Sequence, residues 1–89
     1  MEYETNKPNP FKGIWENEML NYVFTETNAT GINKINSNII FTGLYEYDGI
    51  HLIIYEEDRT FLIHYTFKNN TLIILFEGSS SSLERIEII

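Results

Sequence analysis

LYEYDGIHLIIYEEDRTFLIHYTFKNNTLIILF, residues 44–76, decides the fold. Apolar and polar side chains alternate through it in short runs, and the runs are separated by pairs of turn-forming residues: Asp48-Gly49, Asp58-Arg59 and Asn69-Asn70. A period of two puts every second side chain on one face of a strand, whereas a helix needs apolar residues three and four apart. The stretch therefore reads as successive strands joined by tight hairpins. Asp-Gly is the pair that most readily supplies the positive φ angles of a type I′ turn. With Asp48-Gly49 at the loop centre, Tyr47 faces Ile50, Glu46 faces His51 and Tyr45 faces Leu52. Turns centred on Asp58-Arg59 and Asn69-Asn70 make Phe61 and Ile63 the neighbours of Ile54. They also set Phe67 against Leu72, Tyr65 against Ile74 and Ile63 against Phe76.

All three turns agree on one inward set: Tyr45, Tyr47, Leu52, Ile54, Phe61, Ile63, Tyr65, Phe67, Leu72, Ile74 and Phe76. Agreement between independently placed turns is what a sequence committed to one meander shows. A hairpin unit also recurs after twenty residues, Tyr45-x-Tyr47-x-Gly49-x-x-Leu52-Ile53-Ile54 against Tyr65-x-Phe67-x-Asn69-x-x-Leu72-Ile73-Ile74. Two copies are too few for a solenoid.

Working outward, the same alternation predicts eight strands, near 13–17, 20–26, 31–36, 39–47, 50–56, 60–68, 71–77 and 82–88. Left open, a sheet of that many strands would expose two unpaired edges; closure pairs them and encloses the inward set. The expected fold is all-β: an eight-stranded antiparallel up-and-down barrel occupying residues 11–89. Residues 1–10, with Asn6, Asn9, Pro8 and Pro10 and no periodicity, read as a disordered N-terminal arm.

Composition narrows the partners. The chain has 89 residues, a net charge of −7 and no cysteine. Its few cations form no cluster, so phosphate backbones find nothing to bind and nucleic acid is not an expected partner. Without cysteine there is neither a disulfide framework nor a thiolate metal site, and stability rests on packing. No apolar run is long enough for a helical membrane span, and the start MEYETNKPNP has no leader pattern. The chain reads as soluble as written. An exported or lipoprotein domain is the other reading, should the natural start lie upstream.

The ends of the domain carry a family resemblance. Gly13-Ile14-Trp15 resembles the G-x-W signature that opens the first strand of lipocalins. Leu83-Glu84-Arg85 resembles their closing strand, whose Arg covers that Trp. Residues 24–31, FTETNATG, are similar to the F-x-x-x-D-G-T-G turn of short bacterial lipocalin-like domains, with Ala29 where that turn usually has Gly. The chain is little over half the length of a full lipocalin and lacks its flanking helix. What the resemblance implies is a calycin-type barrel; members of the short group are often domains of bacterial surface lipoproteins with no assigned activity, so it speaks to fold and not to function.

Candidate sites follow from the register. Trp15 and Arg85 are expected in contact at one barrel end, where a guanidinium stacked on an indole contributes about 0.5–2 kcal/mol. With Tyr45 and Tyr65 they are also the residues that would line a small apolar ligand. His51 and His64 share the outward face, but this register sets His64 opposite Ile53, leaving the rings diagonal with Glu46 across from His51. Two imidazoles and a carboxylate could hold zinc or copper; at diagonal spacing they read as surface histidines, and no metal or cofactor is assigned. Glu56, Glu57 and Asp58 read as a solvated hairpin tip, and the serines at 79–82 as a loop with no base nearby.

The outward set is more informative. Leu44, Ile53, Tyr55, Leu62, Ile73, Leu75, Ile86 and Ile88 all point away from the core, too many apolar groups for a face that meets only water. The expected function is a non-enzymatic interaction or structural module. It would form a homodimer, or bind a partner domain, through Ile53, Tyr55, Leu62, Ile73 and Leu75. A carrier of a small apolar ligand inside the barrel is the alternative, and an enzyme comes third because no polar constellation converges.

Overall fold

The computed structural model describes residues 8–87; the arm residues 1–7 and the outward Ile88 lie outside them. Eight strands run in chain order: β1 (Gly13–Glu16), β2 (Leu20–Phe24), β3 (Asn28–Asn33), β4 (Ile39–Tyr47), β5 (His51–Tyr55), β6 (Thr60–Lys68), β7 (Thr71–Phe76) and β8 (Ser79–Glu87). Each pairs antiparallel with its sequence neighbour, and β1 also pairs with β8, closing the barrel. Closure leaves no strand edge unpaired, which a sheet this rich in β-branched and aromatic residues requires to avoid pairing with other chains. No helix among the described residues is long and apolar enough to cross a membrane.

The hairpin registers correct the sequence reading in two places. In the β4–β5 hairpin Tyr47 pairs with Leu52 and Tyr45 with Ile54, so the loop centre is Gly49-Ile50. Asp48 sits one position earlier and works through its side chain: Oδ1 accepts the N–H of Ile50 at 2.9 Å and of His51 at 2.7 Å. Gly49 alone takes positive φ, 101°, the sign pattern of a type II′ loop rather than type I′. In the β5–β6 hairpin the Glu56 N–H donates to the Arg59 carbonyl at 2.8 Å, so Glu57-Asp58 is the centre. The Asn69-Asn70 turn stands as read, with Lys68 against Thr71 and Asn69 at φ 59°. Moving a hairpin centre by one residue shifts the pairing by two, and a shift of two keeps every side chain on its face. The inward set therefore survives both corrections.

The limits of β3 and β8 differ as well. β3 begins at Asn28, not 31, because the β2–β3 hairpin closes at 25–27 and Phe24 pairs with Ala29. Residues 34–36 belong to the following turn, where Asn33 Oδ1 accepts the N–H of Ile35 at 2.8 Å. The serines at 79–82 form the first half of β8 instead of a loop: Glu77 and Gly78 both take positive φ, 51° and 83°, making a two-residue turn that sets Phe76 against Ser79. Serine is a poor strand signal, and pairing to β7 overrides it.

The inward side chains fill the barrel in tiers. Leu52, Ile54, Ile63, Leu72, Ile74 and Leu83 form the aliphatic tier between the ends, all buried. Fully burying an aliphatic side chain of this size contributes about 1.5–3 kcal/mol, and this tier is the main source of stability in a chain without disulfides. At one end, where the β1–β2, β3–β4, β5–β6 and β7–β8 turns lie, Tyr22, Phe41, Phe61 and Phe76 make a chain of edge-to-face and tilted contacts. Arg59 stacks over Phe61 there, 4.8 Å from the ring centre.

Gly43 marks the tightest crossing. A Cβ built on it would meet the carbonyl oxygen of Tyr55, a backbone atom that cannot turn aside. A Cβ on Gly31 would meet the Phe41 ring, a side chain with some freedom to give. Gly43→Ala should therefore lower stability by about 1–3 kcal/mol, measured by chemical denaturation, with Gly31→Ala costing less.

Candidate functional site

Two regions gather the residues that the sequence singles out. The first is the opposite barrel end. Asn9 Oδ1 accepts the Phe11 N–H at 2.9 Å, forming a turn that drops the Phe11 ring into the mouth of the barrel, where it is fully buried. Five rings surround it: Phe24, Tyr45, Tyr47, Tyr65 and Phe67, with centroids 4.8 to 6.1 Å away. The Trp15 indole N–H donates to the Phe11 carbonyl at 2.8 Å. Arg85 pairs with Trp15 across the β1–β8 seam and stacks on its ring at 4.4 Å, the contact read from the sequence. Its guanidinium also donates to the carbonyls of Lys12 at 3.1 Å and Pro10 at 2.6 Å.

Tyr45 and Tyr65 meet the same ring. The Tyr45 hydroxyl donates to the Thr25 carbonyl at 2.7 Å and accepts from Asn9 Nδ2 at 2.7 Å. Burial, opposed by the Asn9 bond, raises its pKa above the ordinary tyrosine value. The Tyr65 hydroxyl accepts the Gly49 N–H at 2.8 Å. Trp15, Arg85, Tyr45 and Tyr65 are thus brought to one end, and Phe11 occupies the space among them. Phe11 was missed as a functional residue in the sequence; the only signal is an aromatic directly after an Asn-Pro pair, two positions ahead of the first strand.

The second region is the outer face of β4–β8. Register sets Leu44 beside Tyr55, Ile53 beside Leu62, and His64 beside Leu75. Leu44, Leu62 and Leu75 are 57, 55 and 44% exposed, while Ile53 and Ile73 are half-buried by their neighbours. His64, Tyr65, Thr66, Ile73 and Leu75 border a shallow open depression on this face. Glu46 lies opposite Ile53, not His51, and its carboxylate accepts the Tyr55 hydroxyl, which raises the Tyr55 pKa.

The two histidines move as a consequence of the corrected hairpin. His51 pairs directly with His64, and the rings stand 4.7 Å apart at 62°. Asp48 Oδ2 lies 3.3 Å from His51 Nδ1. Bonds from the His51 and Ile50 amides hold the Asp48 carboxyl down at about 2.

No match to the chain is found among protein-family models, curated proteins or solved structures. What can be said of its chemistry comes from these residues.

Two outcomes follow. Arg85→Ala removes a stacked cation and two carbonyl bonds and should cost about 1–3 kcal/mol; Arg85→Lys should recover little, since an ammonium has neither the plane nor the fork. Thermal denaturation of the two variants checks this. Asp48 has a folded pKa below its unfolded value, so its contribution is complete above about pH 4 and is lost as pH falls through about 2. A carboxyl titration followed by NMR should place the Asp48 midpoint near 2.

Proposed function

We propose that this chain is a non-enzymatic interaction module, a barrel of the short bacterial lipocalin-like kind, that self-associates through the outer face of β4–β8. The observation that carries the reading is the run of exposed Leu44, Tyr55, Leu62 and Leu75 across neighbouring strands. Isolated exposed apolar side chains need no explanation, whereas a contiguous band of them marks a surface that is covered. The Trp15–Arg85 stack on the closing seam supports the lipocalin-like part.

A second copy is the occupant that the dimensions suit. Strands up to nine residues long in β4, β6 and β8 give the face its length. At about 4.8 Å between strands and 3.3 Å per residue, the apolar part of the wall, centred on β5–β7, measures roughly 10–15 Å across by 20–30 Å along the strands, and flanking side chains add to it. Side-chain relief brings the accessible area of such a face to the scale of a standard interface, about 800 Å² per partner. On the convex wall of a closed barrel two copies can meet about a two-fold axis along β5–β7, where Tyr55, Leu62 and Leu75 lie. The net charge of −7 opposes approach, and salt screens it. The carrier alternative has less to stand on, because Phe11 fills the mouth between the candidate lining residues.

Sedimentation velocity tests the proposal. The unmodified chain should sediment as a dimer at about 100 μM, a concentration that favours even a modest interface. Leu62→Glu with Leu75→Glu should give a monomer with an unchanged β spectrum. A monomeric unmodified chain at that concentration overturns the reading. An unfolded double variant does so too, since it would make those side chains part of the core.

A further inference from the structure

His51 and His64 were set diagonal by the sequence register and lie directly opposite each other in the fold. We propose that they form a two-histidine chelate for a divalent transition-metal ion of the copper–zinc class on the outer face of the barrel. The site does not depend on self-association, and both ligands come from one chain.

Geometry carries the first part of the argument. Two imidazoles bound to one ion through nitrogens at about 2.0–2.1 Å, at a bond angle between square and tetrahedral, hold their ring centres about 4.5–5.2 Å apart. His51 and His64 stand at 4.7 Å with the rings inclined at 62°, a separation within that range. Both residues are held by the β5–β6 ladder of a closed barrel, and a chelate built on paired strands is pre-organised in a way that loop histidines are not.

Asp48 supplies the second part. Ligating histidines commonly donate their other ring N–H to a carboxylate, which fixes the tautomer and strengthens the coordinating nitrogen. Asp48 Oδ2 stands 3.3 Å from His51 Nδ1, the position from which a carboxylate accepts the Nδ1 proton and leaves Nε2 as the coordinating nitrogen. The same carboxylate is anchored through Oδ1 to two backbone amides, so its position is set by the turn and not by the metal.

The chemical class follows from the donors. Imidazole nitrogen suits zinc, copper and nickel, and copper(II) binds most tightly of the first-row divalent ions. Calcium and magnesium, which require oxygen cages, are not served by this pair. No group of three or more His, Cys, Asp or Glu converges among the described residues, so water completes the coordination sphere. The acidic chain, at −7, raises the local concentration of cations.

The test uses the full chain titrated with Cu²⁺ by calorimetry and with Zn²⁺ by NMR of the imidazole resonances. The expected result is one ion bound more tightly than about 100 μM, with both histidine rings responding together at stoichiometric metal. His51→Asn and His64→Asn should each weaken binding by about tenfold or more, because losing one arm removes the chelate. In Asp48→Asn the side-chain oxygen still serves the turn while the amide nitrogen faces His51. Loss of the Nδ1-protonated form of His51 in its ring nitrogen shifts, with weaker binding, is the expected outcome there. The proposal is overturned if the unmodified chain binds no tighter than about 100 μM. It is equally overturned if one ring responds without the other, or if the double histidine variant binds as the unmodified chain does. The ring response needs no variant, so the test stands even if a substitution unfolds the protein.

Discussion

The indole N–H of Trp15 donates to the carbonyl of Phe11, and Arg85 grips the carbonyls on either side of that residue while stacking on the same indole. Three parts of the chain meet in this arrangement: the segment entering β1, β1 itself and the last strand. The β1–β8 seam is the longest-range pairing in the fold, joining residues some seventy positions apart, and loop entropy opposes it most. A cation that stacks across the seam and bonds to the entering segment ties closure to the seating of Phe11. Without the seam the barrel is an open sheet whose inward aromatics face water. Without Phe11 the mouth among Tyr45, Tyr47, Tyr65 and Phe67 is unfilled.

The fold was legible because period-two patterning fixes which face a side chain takes, and face is conserved under the errors that turn reading makes. Asp48-Gly49 looks like the centre of a type I′ turn, yet Asp also caps a turn from its first position through its own carboxylate, and here it does. The two uses differ by one residue. The twenty-residue echo separates them: it aligns Gly49-Ile50 with Asn69-Asn70, and the structure makes these pairs the two loop centres. The echo reaches further than sequence suggests. The amides of Tyr65 and Arg85, twenty apart, donate to the carbonyls of Ile50 and Asn70, also twenty apart. The spacing thus places Tyr65 and Arg85 at equivalent levels of the same barrel end.

Sites were less legible than faces because a site depends on register and not only on parity. A two-residue slip leaves Leu62 outside and Ile63 inside, but it exchanges the cross-strand partners of His51, Glu46 and Tyr55. Glu46 thereby passes from a candidate ligand to the acceptor of the Tyr55 hydroxyl, and Asp48, read as a turn residue alone, becomes the group that orients His51. The seating of Phe11 was beyond reach for a different reason. It rests on an Asn side chain bonding its own backbone two residues on, in a stretch whose prolines read as a loose arm.

A barrel this small has little freedom in where it places function. Eight strands enclose an interior about wide enough for side chains alone, and here large rings close both ends, with aliphatic groups between them. The inward side chains are thus taken up in packing against one another, and the polar and apolar groups left without that role lie on the outward positions. There the strands divide. Outward positions of β1–β3 alternate the polar Glu16, Asn21 and Thr30 with the half-buried Ile14, Val23 and Ile32, and Lys34 bridges to Glu16 at 3.0 Å. Those of β4–β7 carry Leu44, Ile53, Tyr55, Leu62, Ile73 and Leu75 around the paired histidines. The difference between the two sides is one of exposure: Leu44, Tyr55, Leu62 and Leu75 are exposed, whereas Ile14, Val23 and Ile32 are half-buried. An apolar band kept on one side of a chain that is otherwise acidic works against solubility, and its concentration around two facing imidazoles is what supports placing the proposed interface and chelate on that side of the barrel.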